Sequence, residues 1–340
     1  MKATYLISPL LIIVILCACR KKSNDNKPED RRSIYLAGFQ LNSATQQTIA
    51  TLWKDKVVIP LDNSTAWSKA HSVYVSGNDV YAAGYVWSGQ NKVATIWKNG
   101  QATSLTNGMN EAEANFIFVS GNDVYVGGKE HISNKSIARI WKNGLAMLLP
   151  ADSLESVIHS IYVSGADVYA AGTRFKQLKS LATVWKSGMI TPLTNGVRPS
   201  GANSVFVSGN DVYVAGYETS VSGGATVAKV WKNGMPRFIL SNSTINAMAL
   251  SVFVSGNDVY AGGYDPNGLY GRSALWKNGS LLQLNASLPT YQINSVFVSG
   301  ADLYAEGIEY NGGSYINKVW KNEILIDTIT TGIVNSLFVK

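Results

Sequence analysis

Side chains that could serve as nucleophiles or metal ligands are scarce in this sequence of 340 residues. It has two cysteines, Cys17 and Cys19, and three histidines, of which His71 and His159 occupy equivalent positions of a repeated pattern. A thiolate or imidazole metal site needs three or four converging ligands, and Asn115 stands at the matching position between these two histidines. No glycine-rich loop opens a helix, as phosphate binding would require. We therefore expect no metal and no cofactor.

The candidates for ligand binding are aromatic and charged side chains of the variable segments, together with Glu306 inside the repeated motif. They are Trp67, Trp87, Arg174, Tyr217, Tyr264, Glu306, Glu309 and Tyr310. Aromatic side chains with scattered polar groups suit a sugar or a protein surface, although ordinary loop composition explains any single one equally well. Glu306 is exceptional because its equivalent positions hold only alanine or glycine. A carboxylate in that position needs water or a partner.

A glycan-active hydrolase or lyase that uses loop carboxylates is the alternative function. Its candidate residues are Glu218, Asp265, Glu306 and Glu309, and a glycosidase pair needs two carboxyls roughly 5 to 10 Å apart in one pocket. The segments between the repeated motifs are nearly constant in length, and none grows into a lid. We therefore predict no catalytic residues. The favoured function is a non-catalytic binding or scaffold module for a glycan, a peptide or a protein.

A repeated unit must position these residues. The motif VSGNDVYAAG at 75–84 returns five times with small changes, and its Ser-Gly pairs begin 44, 44, 44, 47 and 44 residues apart. Trp-Lys-Asn-Gly or a close variant follows each copy, and Trp53 precedes them all, so seven of the nine tryptophans share one column. Alternating segments joined by Asn-Gly predict hairpins with type I′ turns. Units of about 44 residues with four strands indicate the blades of a β-propeller.

The two ends of the chain complete each other. Residues 33–38 match the second strand of a unit, and residues 335–340 match a first strand. Pairing them adds a seventh blade and removes the exposed edges of an open array. We therefore predict an all-β fold over residues 34–340: a monomeric seven-bladed β-propeller with four-stranded antiparallel blades. The C-terminal strand closes the ring by completing the N-terminal blade.

Residues present in every unit are expected to build the ring. The tryptophans should pack between blades, and an aspartate column from Asp79 should pair with a lysine column from Lys54 at the tight turns, each pair contributing little. A polar column, interrupted by Leu250, opens the first strand of each unit: His71, Asn115, His159, Asn203, Asn294 and Asn335. We interpret it as side chains that satisfy backbone groups between blades. A ring of hydrogen-bonding groups at the channel mouth is the alternative.

The first residues predict export. Lys2 precedes an apolar run at 5–16, which is shorter than the roughly 20 residues of a membrane-spanning helix. Leu16-Cys17-Ala18-Cys19 resembles the lipobox of bacterial lipoproteins. The resemblance implies a signal peptide at 1–18, followed by a segment at 19–33. This segment consists of Cys19, whose lipid anchors the chain to a membrane, and a polar tether. An ordinary secretory signal is the alternative.

The repeat as a whole resembles that of bacterial lipoprotein β-propellers of the Bacteroidota type over residues 34–340. It is more distantly similar to kelch repeats, which also place a small pair after the second strand and a tryptophan further on. The resemblance implies a cell-envelope protein anchored to a bacterial membrane, which we expect to be the outer membrane, with the propeller in the periplasm or at the cell surface. Lys2 and residues 20–32 hold 7 basic and 3 acidic residues of a chain with net charge +7. No basic patch is left in the propeller, so we expect no nucleic-acid partner.

Overall fold

Each repeat unit forms one four-stranded antiparallel sheet. The computed structural model describes residues 32–340 except 63–65, 151–153, 178, 243, 267–272, 285–289 and 312–313. Within these residues, 28 strands form seven sheets. In chain order the strands are β1 Ile34–Leu41, β2 Thr48–Lys54, β3 Val57–Pro60, β4 Ser68–Ser76, β5 Asp79–Ser88, β6 Asn91–Lys98, β7 Gln101–Ser104, β8 Ala112–Ser120, β9 Asp123–Ile132, β10 Lys135–Lys142, β11 Leu145–Ala146, β12 Glu155–Ser164, β13 Asp167–Lys176, β14 Lys179–Lys186, β15 Met189–Pro192, β16 Ser200–Ser208, β17 Asp211–Thr219, β18 Thr226–Lys232, β19 Met235–Ile239, β20 Met248–Ser255, β21 Asp258–Tyr264, β22 Ser273–Lys277, β23 Ser280–Leu282, β24 Thr290–Ser299, β25 Asp302–Asn311, β26 Ser314–Lys321, β27 Ile324–Ile329 and β28 Ile333–Val339.

The sheets are the seven blades of a closed propeller, which confirms the predicted fold. Blades two to seven each use four consecutive strands, from β4–β7 to β24–β27. Blade one has the strand order β28-β1-β2-β3, with Phe338 of β28 opposite Tyr35 of β1. The C-terminal strand therefore completes the N-terminal blade, as predicted. The part of the chain that the structure describes contains no helix long and apolar enough to cross a membrane. The predicted signal peptide and Cys19 lie outside the described residues.

The tryptophan column packs between blades, as predicted. All seven of its indoles are at most 2% exposed. Trp97 of blade two shares a buried cluster with Tyr35 and Leu52 of blade one, and Trp231 of blade five packs with Tyr169 of blade four. A buried tryptophan removes about 150–250 Å² from water, so this column is a principal source of the cohesion between blades.

Two tight turns of each of blades two to seven lie at the same end of the ring, here called the turn face, and blade one has one such turn there together with the two ends of its described chain. One joins the first strand to the second, and the other joins the third to the fourth. Asn99 and Gly100 have φ of 51° and 82°, as the predicted type I′ turn demands. Lysine and aspartate bridge the two turns in six blades at 2.7 to 3.0 Å, as Lys98 and Asp79 do. The variable connections lie at the opposite end, the loop face.

Candidate binding site in the central channel

The innermost strand of every blade has a β-bulge at the polar column. The register of β4 against β5 shifts between Ala70 and Ser72, so His71 is the extra residue, and the same shift recurs in the other six blades. A bulge inverts the alternation of side chains beyond it. For this reason Glu113 and Phe118, on either side of the bulge of blade three, both line the central channel.

Seven aromatic rings close the channel toward the turn face. They stand three residues after the bulge and form an unbroken circle of contacts with centroid distances of 4.6 to 5.0 Å. The members of this aromatic ring are Tyr74, Phe118, Tyr162, Phe206, Phe253, Phe297 and Phe338. Between them and the loop face lies a cavity of about 720 Å³, within the size range of small-ligand sites.

Four asparagines of the polar column join neighbouring blades, in agreement with the interpretation that this column satisfies backbone groups. Each donates its side-chain N–H to a backbone carbonyl of the next blade, at 2.8 to 3.2 Å. The pairs are Asn115 to Ile158, Asn203 to Ala249, Asn294 to Val334 and Asn335 to Ala70. These bonds fix the bulges, and with them the side chains that line the channel.

The two histidines of the column face the cavity. Nε2 of His71 has no hydrogen-bond partner among the described residues, and Nε2 of His159 lies 3.4 Å from Oγ1 of Thr173. Burial lowers the pKa of both histidines to about 4, and the nearby Lys129 contributes in the same direction. Both rings are therefore neutral at pH 7, where an imidazole can donate one hydrogen bond and accept another.

The channel wall is chemically divided. The two tyrosines of the aromatic ring, Tyr74 and Tyr162, and the two histidines all belong to blades two and four. The described charged residues of the lining belong to blades three and four: Glu113, Lys129 and Glu155. On blades five, six, seven and one, every member of the aromatic ring is phenylalanine, and Leu250 replaces one polar residue. A ligand in the cavity would meet histidine, tyrosine and charged groups on one side, and phenylalanines with uncharged asparagines and serines on the other.

A charged cluster, the rim cluster, lies at the loop-face end of blades two and three. Glu113 forms ion pairs with Lys92 and, at 3.6 Å, with Lys129. The Lys92 ammonium lies 5.0 Å from the ring centre of Tyr85 and 5.9 Å from that of Trp87. Burial opposes ionisation of Glu113, but the two lysines outweigh it and hold the pKa of this carboxyl below its ordinary value. The rim thus combines a carboxylate, two ammonium groups and an indole.

The predicted binding residues of blades two to six are spread around the loop face. Trp67 is 46% exposed, and its carbonyl accepts a hydrogen bond from the backbone N–H of Trp87 at 2.8 Å. Trp87 belongs to the rim cluster. Arg174, Tyr217 and Tyr264 are half-buried and lie on blades four, five and six. Of these five residues, the structure brings together Trp67 and Trp87.

The predicted residues of blade seven lie in different environments. Tyr310 is 48% exposed and contacts Tyr315 at 5.2 Å between ring centres, while Tyr315 lies 6.3 Å from Tyr291. Glu309 is 1% exposed and forms an ion pair with Lys318 at 3.0 Å. Sequence reasoning named one member of this tyrosine cluster, because Tyr291 and Tyr315 come from two other strands.

Glu306 is buried at the joint between blades seven and one. At the equivalent Gly262 of blade six, a Cβ would collide with Ile293 of the next blade. Val334 stands at that place in blade one, within the apolar cluster of the joint. Neither carboxyl oxygen of Glu306 has a hydrogen-bond partner among the described residues, and burial raises the pKa of this carboxyl well above its ordinary value. Glu306 is therefore a buried acid of the ring joint and does not belong to the channel lining.

The loop carboxylates of the catalytic alternative are not assembled in the channel. Glu218 of blade five pairs with Lys229 at 2.5 Å and with Arg198 at 3.6 Å, and Asp265 of blade six is buried. Neither of them, nor either glutamate of blade seven, is among the described residues that line the cavity. Within the described ranges, no group of three or more histidines, cysteines and carboxylates is placed to hold a metal ion.

Fold and cavity define a seven-bladed β-propeller with a ligand-sized pocket in its channel. No protein-family model matches the chain, and no curated protein matches it either. Similar solved structures include a putative TolB from Agrobacterium tumefaciens, at 12% identity and a TM-score of 0.40 over 91% of this chain and 96% of that one. Pyrococcus horikoshii acylaminoacyl peptidase is 10% identical with a TM-score of 0.44 over 84% and 48%. Domains 1–2 of Drosophila Semaphorin 1b are 11% identical with a TM-score of 0.34 over 76% and 52%. The chain spans about half the length of the last two, and likeness at this level concerns the fold alone.

Proposed function

We propose that this protein is a lipid-anchored propeller of the bacterial cell envelope that binds its ligand without catalysis at the loop-face mouth of the central channel. The observation that carries the proposal is the cavity of about 720 Å³, with histidine, tyrosine and charged side chains on blades two to four and phenylalanines, asparagines and serines opposite. The anchor is the lipid that we expect on Cys19, in the outer membrane. The propeller then lies in the periplasm or at the cell surface.

The cavity favours a ligand with a ring-shaped end group. A pyranose or an aromatic side chain presents one apolar face, which the phenylalanines can cover, and polar edges that the opposite wall can bind. Because His71 and His159 are neutral at pH 7, this part of the wall attracts no charged group. The rim cluster supplies charge at the loop-face end of the cavity, where Trp87 adds an indole. A glycan, or a peptide that inserts one aromatic residue, fits this arrangement.

The binding site can be tested with the compact unit of residues 33–340 on a glycan array and in a peptide pull-down. We expect saturable binding that Trp87→Ala and Tyr162→Phe each weaken about tenfold, the effect of ~1.4 kcal/mol. Tyr162→Phe preserves the packing of the aromatic ring, because phenylalanine occupies the equivalent position in five blades. His131→Asn, an exposed residue outside the cavity, is the control that should leave binding unchanged. Binding lost with Tyr310→Ala instead would move the site to blade seven, and absence of saturable binding in both screens would refute the binding function.

The anchor is tested separately on the full chain in a bacterial host. We expect incorporation of labelled palmitate that Cys19→Ala abolishes and Cys17→Ala preserves. Release of the Cys19→Ala variant from the membrane fraction would complete the result, and protease added to intact cells would separate periplasmic from surface exposure. Labelling that survives Cys19→Ala would overturn the anchor.

A further inference from the structure

The outermost strand begins with a large, exposed apolar side chain in five of the seven blades. These side chains, the apolar tips, are 61% to 76% exposed: Val57, Leu145, Met189, Met235 and Ile324. Blades two and six have Gln101 and Ser280 at the same position. The fold therefore does not require an apolar residue there, and an exposed one gains nothing from the core. Single exposed apolar side chains are ordinary on protein surfaces, but these recur at one position of the repeat, which is the pattern that a contact surface would produce.

All apolar tips lie at the same level of the ring. Each is paired in register with the lysine that precedes its turn, as Leu145 is with Lys142 and Met189 with Lys186. Because these turns belong to the turn face, the tips form the corners of one plane. A flat, uniform partner can contact all of them at once, whereas a folded protein would have to repeat its own features around the ring.

The chain enters the propeller at this same face. The backbone N–H of Ser33 donates to the carbonyl of Lys340 at 2.8 Å, and the N–H of Ile34 donates to Oδ1 of Asp55 in the turn between β2 and β3. Residues that precede Ser33, among them Cys19, therefore connect to the turn face. A lipid on Cys19 would therefore tether the propeller through this face.

Charge on the turn face is largely compensated. The column lysines of six blades are paired with aspartates, so attraction to anionic lipid is weak. Long lysine stems beside each tip can keep their ammonium groups in water while the apolar side chain enters the interface. Contact with a membrane would thus depend on the apolar tips, and a neutral bilayer would suffice.

We propose that the turn face docks on the surface of the bilayer through its apolar tips, which directs the loop face and the channel mouth away from the membrane. The proposal rests on the membrane anchor proposed above. It assigns a use to a side-chain pattern that neither the ring nor the channel needs.

Docking can be tested without natural lipidation. The chain from residue 20 contains no cysteine, so it can carry one cysteine with an environment-sensitive fluorophore and an N-terminal hexahistidine held by nickel-chelating lipid in phosphatidylcholine vesicles. Met189→Cys places the probe on the turn face of blade four, and Val197→Cys places it on the loop face of the same blade with a similar exposure of 67% against 63%. We expect the probe at 189 to brighten at least twofold on vesicles and to be quenched by brominated lipid, and the probe at 197 to behave as in solution.

Substitution of the tips provides the second arm. Leu145→Gln with Met235→Gln, in the chain labelled at 189, should remove most of the fluorescence change, since glutamine occupies this position in blade two. Met109→Gln, an exposed loop-face residue, should not. Equal responses at 189 and 197, a response at 197 alone, or none at either would overturn the docking proposal. The hexahistidine holds the protein on vesicles whatever the fate of Cys19, so these failures are distinct from failure of palmitate labelling.

Discussion

Replacing Glu306 should stabilise the propeller, and the gain should grow with pH. Across six of the joints between blades, small side chains face matched partners. Alanine faces alanine in four of them, and glycine faces isoleucine in two. Only the joint between blades seven and one holds a carboxyl, opposite Val334, and its oxygens have no hydrogen-bond partner among the described residues. The side chain of Asn294 is nearby, but its N–H donates to the carbonyl of Val334.

The magnitude follows from proton linkage. The folded state keeps Glu306 protonated above the ordinary pKa of 4.5, whereas the unfolded chain releases the proton there. The folded state therefore binds more protons, and the free energy of unfolding falls as pH rises. Each pH unit between 4.5 and the pKa of the folded state costs the protein about 1.4 kcal/mol. Glu306→Gln has nearly the same shape and cannot titrate, so its stability should match that of the parent below pH 4.5 and exceed it by this slope above.

Glu306→Ala adds a packing term that does not depend on pH. Two buried methylene groups are lost, worth about 1.6 kcal/mol, and a buried polar group without a partner is removed, worth about 1–3 kcal/mol. These contributions nearly cancel, so the alanine variant should also match the parent in acid and exceed it near neutrality. Glu309→Gln is the matched control on the same strand. It breaks an ion pair with Lys318 and should destabilise the fold.

Urea unfolding of residues 33–340 at pH 4.5, 6 and 7.5, followed by tryptophan fluorescence, measures these differences. The expected signature is a midpoint for Glu306→Gln that separates from that of the parent as pH rises. A difference that is constant with pH, or a loss of stability at pH 7.5, would refute the reasoning. It would mean that the carboxylate is ionised in the folded state with a partner such as bound water or a cation.

Three other substitutions test the structural roles derived above. The pKa of His71 and His159 is lowered to about 4 in the folded state, so the unfolded chain takes up protons first as the pH falls. Each histidine therefore lowers the free energy of unfolding between pH 6.5 and 4, by up to about 3 kcal/mol. His159→Asn should remove the loss due to His159 and raise the urea midpoint at pH 4.5, and an unchanged midpoint would contradict this. Leu250→Asn should restore the missing hydrogen-bond donor to the next blade and raise the free energy of unfolding by about 0.5–1.5 kcal/mol, which a higher urea midpoint would show. A lower midpoint would show that the packing of Leu250 stabilises the joint more than the hydrogen bond of an asparagine. Trp141→Ala should cost about 3–5 kcal/mol in the same assay, and Trp67→Ala less than about 0.5; equal losses would deny that the column forms the joints.

The fold was predictable because its signals are local and repeated. Asn99-Gly100 and its equivalents mark turns by their tolerance of positive φ, and the tryptophan spacing counts blades. The aromatic ring escaped sequence reasoning although Tyr74 and its equivalents recur at constant spacing. Its members belong to seven different blades, and the sequence alone does not show that the seven side chains meet. The charged lining escaped for another reason. If side chains alternated strictly along β8, Glu113 would lie on the opposite face of the strand from Phe118, outside the channel. The bulge at Asn115 reverses the alternation and places both side chains in the channel.

The histidines, tyrosines and charged residues that depart from the repeat in the channel lining are not spread evenly over the blades. Substitutions that only drift would scatter over the seven blades. Instead, both histidines of the bulge column, both tyrosines of the aromatic ring and the charged lining residues fall on blades two to four and face one cavity. The ring does not need them, because asparagine at the bulge and phenylalanine in the aromatic ring serve the other blades. An imidazole at the bulge also carries a stability cost in acid that asparagine avoids. This grouping is what the proposed ligand binding on this side of the channel would produce.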